Sequence, residues 1–131
     1  MELNTKLSEH EEYIASQIVD SSLKVHRYLG PGLLEKVYEK CLCYELESRG
    51  LVVERQVKLP IVYGSMTFDE GLILDLLVED LVICELKAVE TVNPYWNAQI
   101  ISHLKLAKLN LGFLINFNVS LMKDGLKRFV V

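Results

Sequence analysis

Two nearly continuous apolar runs, residues 66–78 and 81–88, constrain this chain more than any other feature. Each has the length of a strand, and each is interrupted by a lone carboxylate at its apolar centre: Asp75 in Leu72-Ile73-Leu74-Asp75-Leu76-Leu77-Val78, and Glu85 in Leu81-Val82-Ile83-Cys84-Glu85-Leu86. Strands that are apolar on both sides lie at the centre of a sheet covered on both faces, so the chain must supply helical layers above and below them. An ionised carboxylate without a partner in such surroundings costs several kcal/mol. Asp75 and Glu85 are therefore the positions where local propensity fails and compensation has to be found.

The helical layers are legible. From Ser8 to Leu29, apolar residues Ile14, Ile18, Leu23, Val25 and Leu29 recur at helical spacing, and Ser8 with Glu11 suits a capping box. Gly30-Pro31-Gly32 breaks the pattern. A second helix over 33–49 carries Leu34, Val37, Tyr38, Cys41, Leu42, Tyr44 and Leu46, and Gly50 stops it. Over 51–62, Val53, Val57, Leu59 and Ile61 alternate with polar residues, which predicts a strand solvated on one face and a turn at Tyr63-Gly64-Ser65. A third helix over 94–109 aligns Trp96, Ile100, Leu104 and Ala107, and short strands follow over 111–117 and 126–131. The expected order is α-α-β-β-β-α-β-β in a single domain spanning 1–131, an α/β fold with a central mixed sheet flanked by helices and one βαβ crossover.

Composition narrows the function. With 14 basic and 18 acidic residues, a net charge of −4 argues against a protein that coats nucleic acid through bulk electrostatics. A local basic groove would have to come from 105–108 or from Lys123, Lys127 and Arg128, and a solvated face is the simpler reading of each. No run approaches the roughly 20 uncharged residues of a membrane span, and the polar, acidic start has no signal-peptide pattern, so no membrane partner and a cytoplasmic location are expected. Cys41, Cys43 and Cys84 spell neither a zinc nor a disulfide framework and read as buried thiols.

On a strand, Glu85 and Lys87 share a face. Asp75 joins them only if the connection between the two runs is odd and centred on Asp80. A two-residue loop at Glu79-Asp80 would oppose Asp75 to Cys84 and send Glu85 behind the sheet. If they cluster, two carboxylates and an ammonium meet where a hard divalent cation, Mg²⁺ or Mn²⁺, is held through oxygen, and such an ion activates water against a phosphodiester. Spacing alone leaves a structural buried ion pair equally open. Gly32, Glu35 and Tyr38, three apart, share one face of the second helix, so Glu35 either looks toward the sheet or is a surface glutamate. Gln99 shares a stripe with Trp96 and His103, and a histidine on such a stripe reads as a satisfied core residue.

Leu29-Gly30-Pro31-Gly32-Leu33-Leu34-Glu35-Lys36-Val37-Tyr38-Glu39 resembles the signature of the GxxExxY proteins, placed in the PD-(D/E)XK nuclease superfamily. Asp75 to Asp80, Ile83-Cys84-Glu85-Leu86-Lys87-Ala88-Val89-Glu90, Gln99, and Leu111 to Phe117 continue the likeness, which runs from about Val19 to Val131. The resemblance implies a restriction-endonuclease-like core with Glu35, Asp75 and Glu85 around a metal and Lys87 at the attacking water. Gln99 looks like the glutamine of a Q-x-x-x-Y exonuclease motif, with His103 at the tyrosine position. Ile73 stands where related chains carry a basic residue. The implied function is a metal-dependent nuclease acting on nucleic acid, most readily DNA. The alternative is a catalytically inactive binding or scaffold protein, a subunit of a nucleic-acid processing complex. A homodimer is expected under either reading, since a chain this short offers little surface for a substrate.

Overall fold

The computed structural model describes residues 6–131; part of the polar start, residues 1–5, lies outside the described residues. Helix α1 (Glu9–Leu29) opens on the expected capping box, with the Glu11 amide donating to Ser8 Oγ at 3.0 Å and the Ser8 amide donating to Glu11 Oε1 at 2.9 Å. Its buried stripe includes Ile14, Ile18 and Val25. Helix α2 (Glu35–Ser48) buries Tyr38, Leu42 and Leu46, which are four apart and make one narrow stripe. Leu34, Val37 and Tyr44, counted with the core by periodicity, are exposed instead. Val37 and Tyr44 fall off that stripe and Leu34 is the N-cap, ahead of the first turn, so this part of the expectation is corrected.

Strand β1 (Val53–Lys58) ends at Leu59-Pro60, and β2 (Ile61–Tyr63) pairs with β3 (Met66–Phe68) as a separate two-stranded ribbon. Strands β4 (Ile73–Val78) and β5 (Val82–Lys87) follow, then helix α3 (Tyr95–Ala107), β6 (Leu111–Asn116), a 3-10 turn (Met122–Asp124) and β7 (Leu126–Val130). The main sheet has the order β1-β4-β5-β6-β7, with β5 and β6 parallel and the other pairs antiparallel. The mixed sheet, its helical layers and the β5-α3-β6 crossover are as expected for a restriction-endonuclease-like α/β core. Five strands rather than three precede α3, because the apolar run 66–78 is not one strand. Asp69-Glu70-Gly71 interrupts it, and Pro60, which lacks an amide to donate, separates β1 from β2.

One face of the sheet packs Leu76, Val78, Cys84, Leu86, Phe113 and Ile115 against α1 and α2, and the other packs Leu74, Leu77, Ile83 and Leu114 against Ile100 and Leu104 of α3. Strand β1 belongs to both. Val53 packs into the α1/α2 core but Val57, four residues on, packs into the α3 core, and their partners Val78 and Leu74 divide the same way. A regular strand keeps residues four apart on one face, so the β1–β4 pair changes faces between them. The one-faced strand expected over 51–62 is corrected accordingly. The change falls at Gln56, which has a left-handed φ of 52° and faces Asp75 across the one interruption in the ladder.

All three cysteines are free, and burial pushes the Cys43 thiol up to about 11, with Glu47 adding to the effect. Burial raises the Cys84 thiol as well. Both are packing residues rather than nucleophiles. Among the described residues no helix is long and apolar enough to cross a membrane.

Candidate active site

The odd hairpin is the one the chain adopts. Glu79 and Asp80 both have φ of 55°, and the Leu81 amide donates to the Val78 carbonyl at 3.0 Å, the pattern of a type I′ turn. Leu81 is an extra residue, so Val82 rather than Leu81 faces Val78; Leu77 faces Ile83 and Leu76 faces Cys84. Continued by one residue, this register sets Asp75 level with Glu85. The left-handed Glu79 is held by its own carboxylate, which accepts from the Val52 amide at 2.6 Å.

Asp75 reaches across to β5, where its Oδ2 accepts from the Leu86 amide at 2.8 Å. Glu85 and Lys87 point toward α3: Glu85 Oε1 lies 2.8 Å from His103 Nδ1, and Lys87 Nζ lies 5.0 Å from the centre of the Trp96 ring. On the α2 side, buried Glu39 accepts from Gln56 Nε2 at 2.6 Å and from Arg55 at 3.1 and 3.2 Å, and Gln56 also reaches Asp75 Oδ1 at 3.4 Å. The face change at Gln56 lets β1 offer one side chain to both carboxylates.

Burial holds the Glu85 carboxyl above the ordinary range, with the His103 hydrogen bond opposing and the Asp75 charge adding to the shift. Burial likewise raises Asp75; the Leu86 amide opposes this and Glu39 reinforces it. Glu35 is open to solvent at the rim. It is nonetheless raised by partial burial first and then by Asp75, while Lys87 pulls the other way.

Asp75, Glu85 and Lys87 are thus brought to one place, with Glu35 at its edge. Gln99 is exposed on α3, and its side chain makes no hydrogen bond among the described residues, whereas His103 one turn on bonds Glu85 directly. Sequence reasoning passed over Glu39, Gln56 and Asn116. Glu39 had a signal, since it is four residues from Glu35 and shares its face. Asn116 donates from Nδ2 to the Val89 carbonyl at 3.0 Å and accepts from the Val89 amide at 3.3 Å, fixing the loop that leaves β5 beyond Lys87. Tyr38 donates to the Gly30 carbonyl at 2.6 Å and accepts from the Leu33 amide at 3.1 Å. It thereby ties down the turn in which Gly30 and Gly32 have φ of 69° and 98°, and so sets where Glu35 begins its helix.

Among the described residues no three His, Cys, Asp or Glu side chains gather closely enough to enclose a metal ion by themselves. Glu39, Asp75 and Glu85 are each turned to a protein donor instead. Mg²⁺ does not require such a cage; one or two carboxylates, waters and substrate oxygens are its usual shell. Oxygen donors whose proton affinity is raised by burial and by a neighbouring carboxylate, Glu39 for Asp75 and Asp75 for Glu85, are a donor set that a hard cation relieves. Asp75 and Glu85 fit that role.

A family model described as the PD-(D/E)XK nuclease superfamily matches residues 12–129. No curated protein and no solved structure matches the chain.

Proposed function

The chain belongs to the PD-(D/E)XK nuclease superfamily, and from that premise we propose that it hydrolyses phosphodiester bonds in DNA with Mg²⁺ or Mn²⁺. The observation that carries the reading is the odd β4–β5 register, which levels Asp75 with Glu85 and leaves Lys87 beside them. Asp75 and Glu85 would hold the cation, and Glu35 at the rim would tune their charge or complete the shell through water. When bound, such an ion lowers the proton affinity of water and offsets charge on the scissile phosphate. Lys87 would orient the attacking water and neutralise the developing charge. The water would pass a proton to solvent as its oxygen forms the new P–O bond, and the bridging P–O bond would break with the leaving oxygen taking up a proton.

Three contacts support this division of labour. Trp96 restricts where Lys87 can sit, His103 fixes the Glu85 carboxylate, and the Leu86 amide fixes Asp75. Gln99, exposed on the same helix as Trp96 and His103, would orient substrate. The three free cysteines accord with a cytoplasmic protein.

A second reading, a domain that binds nucleic acid without cutting it, is favoured by one observation: Glu39, Asp75 and Glu85 each already have a protein donor. Cleavage of labelled DNA in Mn²⁺ separates the two. The nuclease reading expects cleavage by the wild type that is lost in Asp75→Ala and in Lys87→Ala while the fold survives; cleavage persisting in both variants would defeat the assignment.

A further inference from the structure

Helix α2 carries a second apolar stripe that the described residues leave open. Its core stripe is Tyr38, Leu42 and Leu46, and buried Glu39 beside that stripe reaches the Gln56 side chain that also meets Asp75. On the opposite side of the helix Leu34, Val37, Cys41 and Tyr44 recur at intervals of three, four and three, the spacing of a seam between paired helices. Leu34 is 79% exposed and Tyr44 70%.

Between this stripe and α1 lies a groove of about 650 Å³. Val25, Leu29 and Cys41 line it together with Tyr44 and with Tyr28, which is 88% exposed. Covering two tyrosines removes roughly 300–500 Å² from water. Leu34, Val37 and the charged flank bring such a face near the roughly 800 Å² per partner of a standard interface.

Charge decides which partner fits. Glu45, on the α1 flank of the stripe, is already engaged by Lys24 at 3.2 Å and by Arg49 at 3.8 Å. The other flank carries Lys40 and Glu47, both exposed and neither in an ion pair among the described residues. They stand seven residues apart, two helical turns or about 10.5 Å. A two-fold axis crossing α2 between Cys41 and Tyr44 sets Lys40 of each copy beside Glu47 of the other and packs Cys41 of each against the other's Tyr44 ring. A flank that complements itself under rotation suits an isologous pair. An acidic helix or a nucleic acid laid on the same seam would meet Glu47 with its own sign of charge.

We propose that this face of α2 is the contact between two copies of the chain, packed α2 against antiparallel α2, with Tyr44 of each copy seated in the α1–α2 groove of the other. The homodimer expected of so short a chain thereby acquires a defined face. The pairing does not depend on the nuclease reading, because the seam lies on the side of α2 away from Glu39 and Asp75.

Sedimentation velocity of the whole chain in EDTA tests it, with circular dichroism confirming that each variant keeps its helices. The wild type is expected to dimerise with a Kd on the order of 10 µM. Lys40→Glu alone and Glu47→Lys alone each give the flank a single sign, and each should raise that Kd about thirtyfold. Mixed in equal amounts, the two variants should pair with one another about as tightly as the wild type does with itself, since an acidic flank then meets a basic one. Tyr44→Ala should weaken self-association about a hundredfold. Tyr63→Ala, exposed on the β2–β3 ribbon, is the control and should change nothing.

A wild type still monomeric at about ten times the expected Kd would overturn the proposal, as would single-charge variants that dimerise like the wild type or a mixture that stays apart. Labelled DNA bound in EDTA by a monomer and released by Lys40→Glu would overturn it in favour of nucleic acid in the groove. Loss in each variant with recovery in the mixture upholds the pairing whether or not the chain cuts DNA, and loss of cleavage in Asp75→Ala bears on the nuclease reading alone.

Discussion

Replacing Tyr38 by phenylalanine isolates what the tyrosine does for the turn ahead of α2. The ring is fully buried and stacks on Phe117 with centroids 4.5 Å apart and planes 7° from parallel, so a phenyl ring in its place would keep the packing. Only the hydroxyl is lost, and with it the bonds to the Gly30 carbonyl and the Leu33 amide. Both partners lie in a turn that water can reach, so the cost is the net value of two hydrogen bonds, about 1–2 kcal/mol, rather than that of two orphaned buried groups. For a chain of this size that lowers Tm by about 3–8 °C. Thermal unfolding by circular dichroism measures it, and proteolysis should cut first in the Gly30–Leu34 turn. Tyr38→Ala, which also removes the ring, should cost about 4 kcal/mol. A Tyr38→Phe Tm within about 1 °C of the wild type would refute the idea that this hydroxyl holds the turn and, through it, the first turn of α2 that carries Glu35.

Other consequences follow from the same contacts. Because the folded-state proton affinities of Glu35, Asp75 and Glu85 are raised, the metal-free fold binds more protons than the unfolded chain. Their contribution is fully present below the ordinary carboxylate range and is lost as pH rises through the folded values. In EDTA, Glu85→Gln should therefore gain Tm relative to the wild type at pH 7.5 and lose that advantage near pH 4; an advantage that grows on acidification would contradict the sign. Mn²⁺ at a hundredfold excess over Kd should stabilise the wild type by about 2.7 kcal/mol and raise its Tm more at pH 7.5 than at pH 5, with no rise in Asp75→Ala. Trp96→Leu keeps an apolar side chain against the α3 core but removes the ring beneath Lys87, and should slow cleavage about tenfold with little change in cation binding. Gly125→Ala would drive a methyl group into the Asn116 carbonyl and should cost about 1–3 kcal/mol in urea unfolding. Gly112→Ala meets only the side-chain ends of Ile100 and Leu104 and should cost less.

Apolar periodicity made the helices and the central strands legible, and Asp75 and Glu85 stood out because nothing local explains a carboxylate there. Whether they meet depended on one residue, Leu81, which makes the hairpin odd; that is backbone geometry at Glu79 and Asp80 and has no hydrophobic signature. The ribbon was hidden inside an apolar run because Tyr63, Met66 and Phe68 look like strand residues whether or not the strand joins the main sheet. Glu39, Gln56 and His103 were obscured for a different reason. Their roles come from a strand that changes faces and from a hydrogen bond between β5 and α3, both set by tertiary packing rather than by spacing.

The most direct test is calorimetric titration of Mn²⁺ into the wild type and Asp75→Ala, with cleavage of single- and double-stranded DNA followed in the same preparations. Binding and cleavage present in the wild type and lost together in the variant is the expected result. A wild type that binds no cation and cuts no DNA would contradict the metal-nuclease account and leave the cluster as a structural ion network.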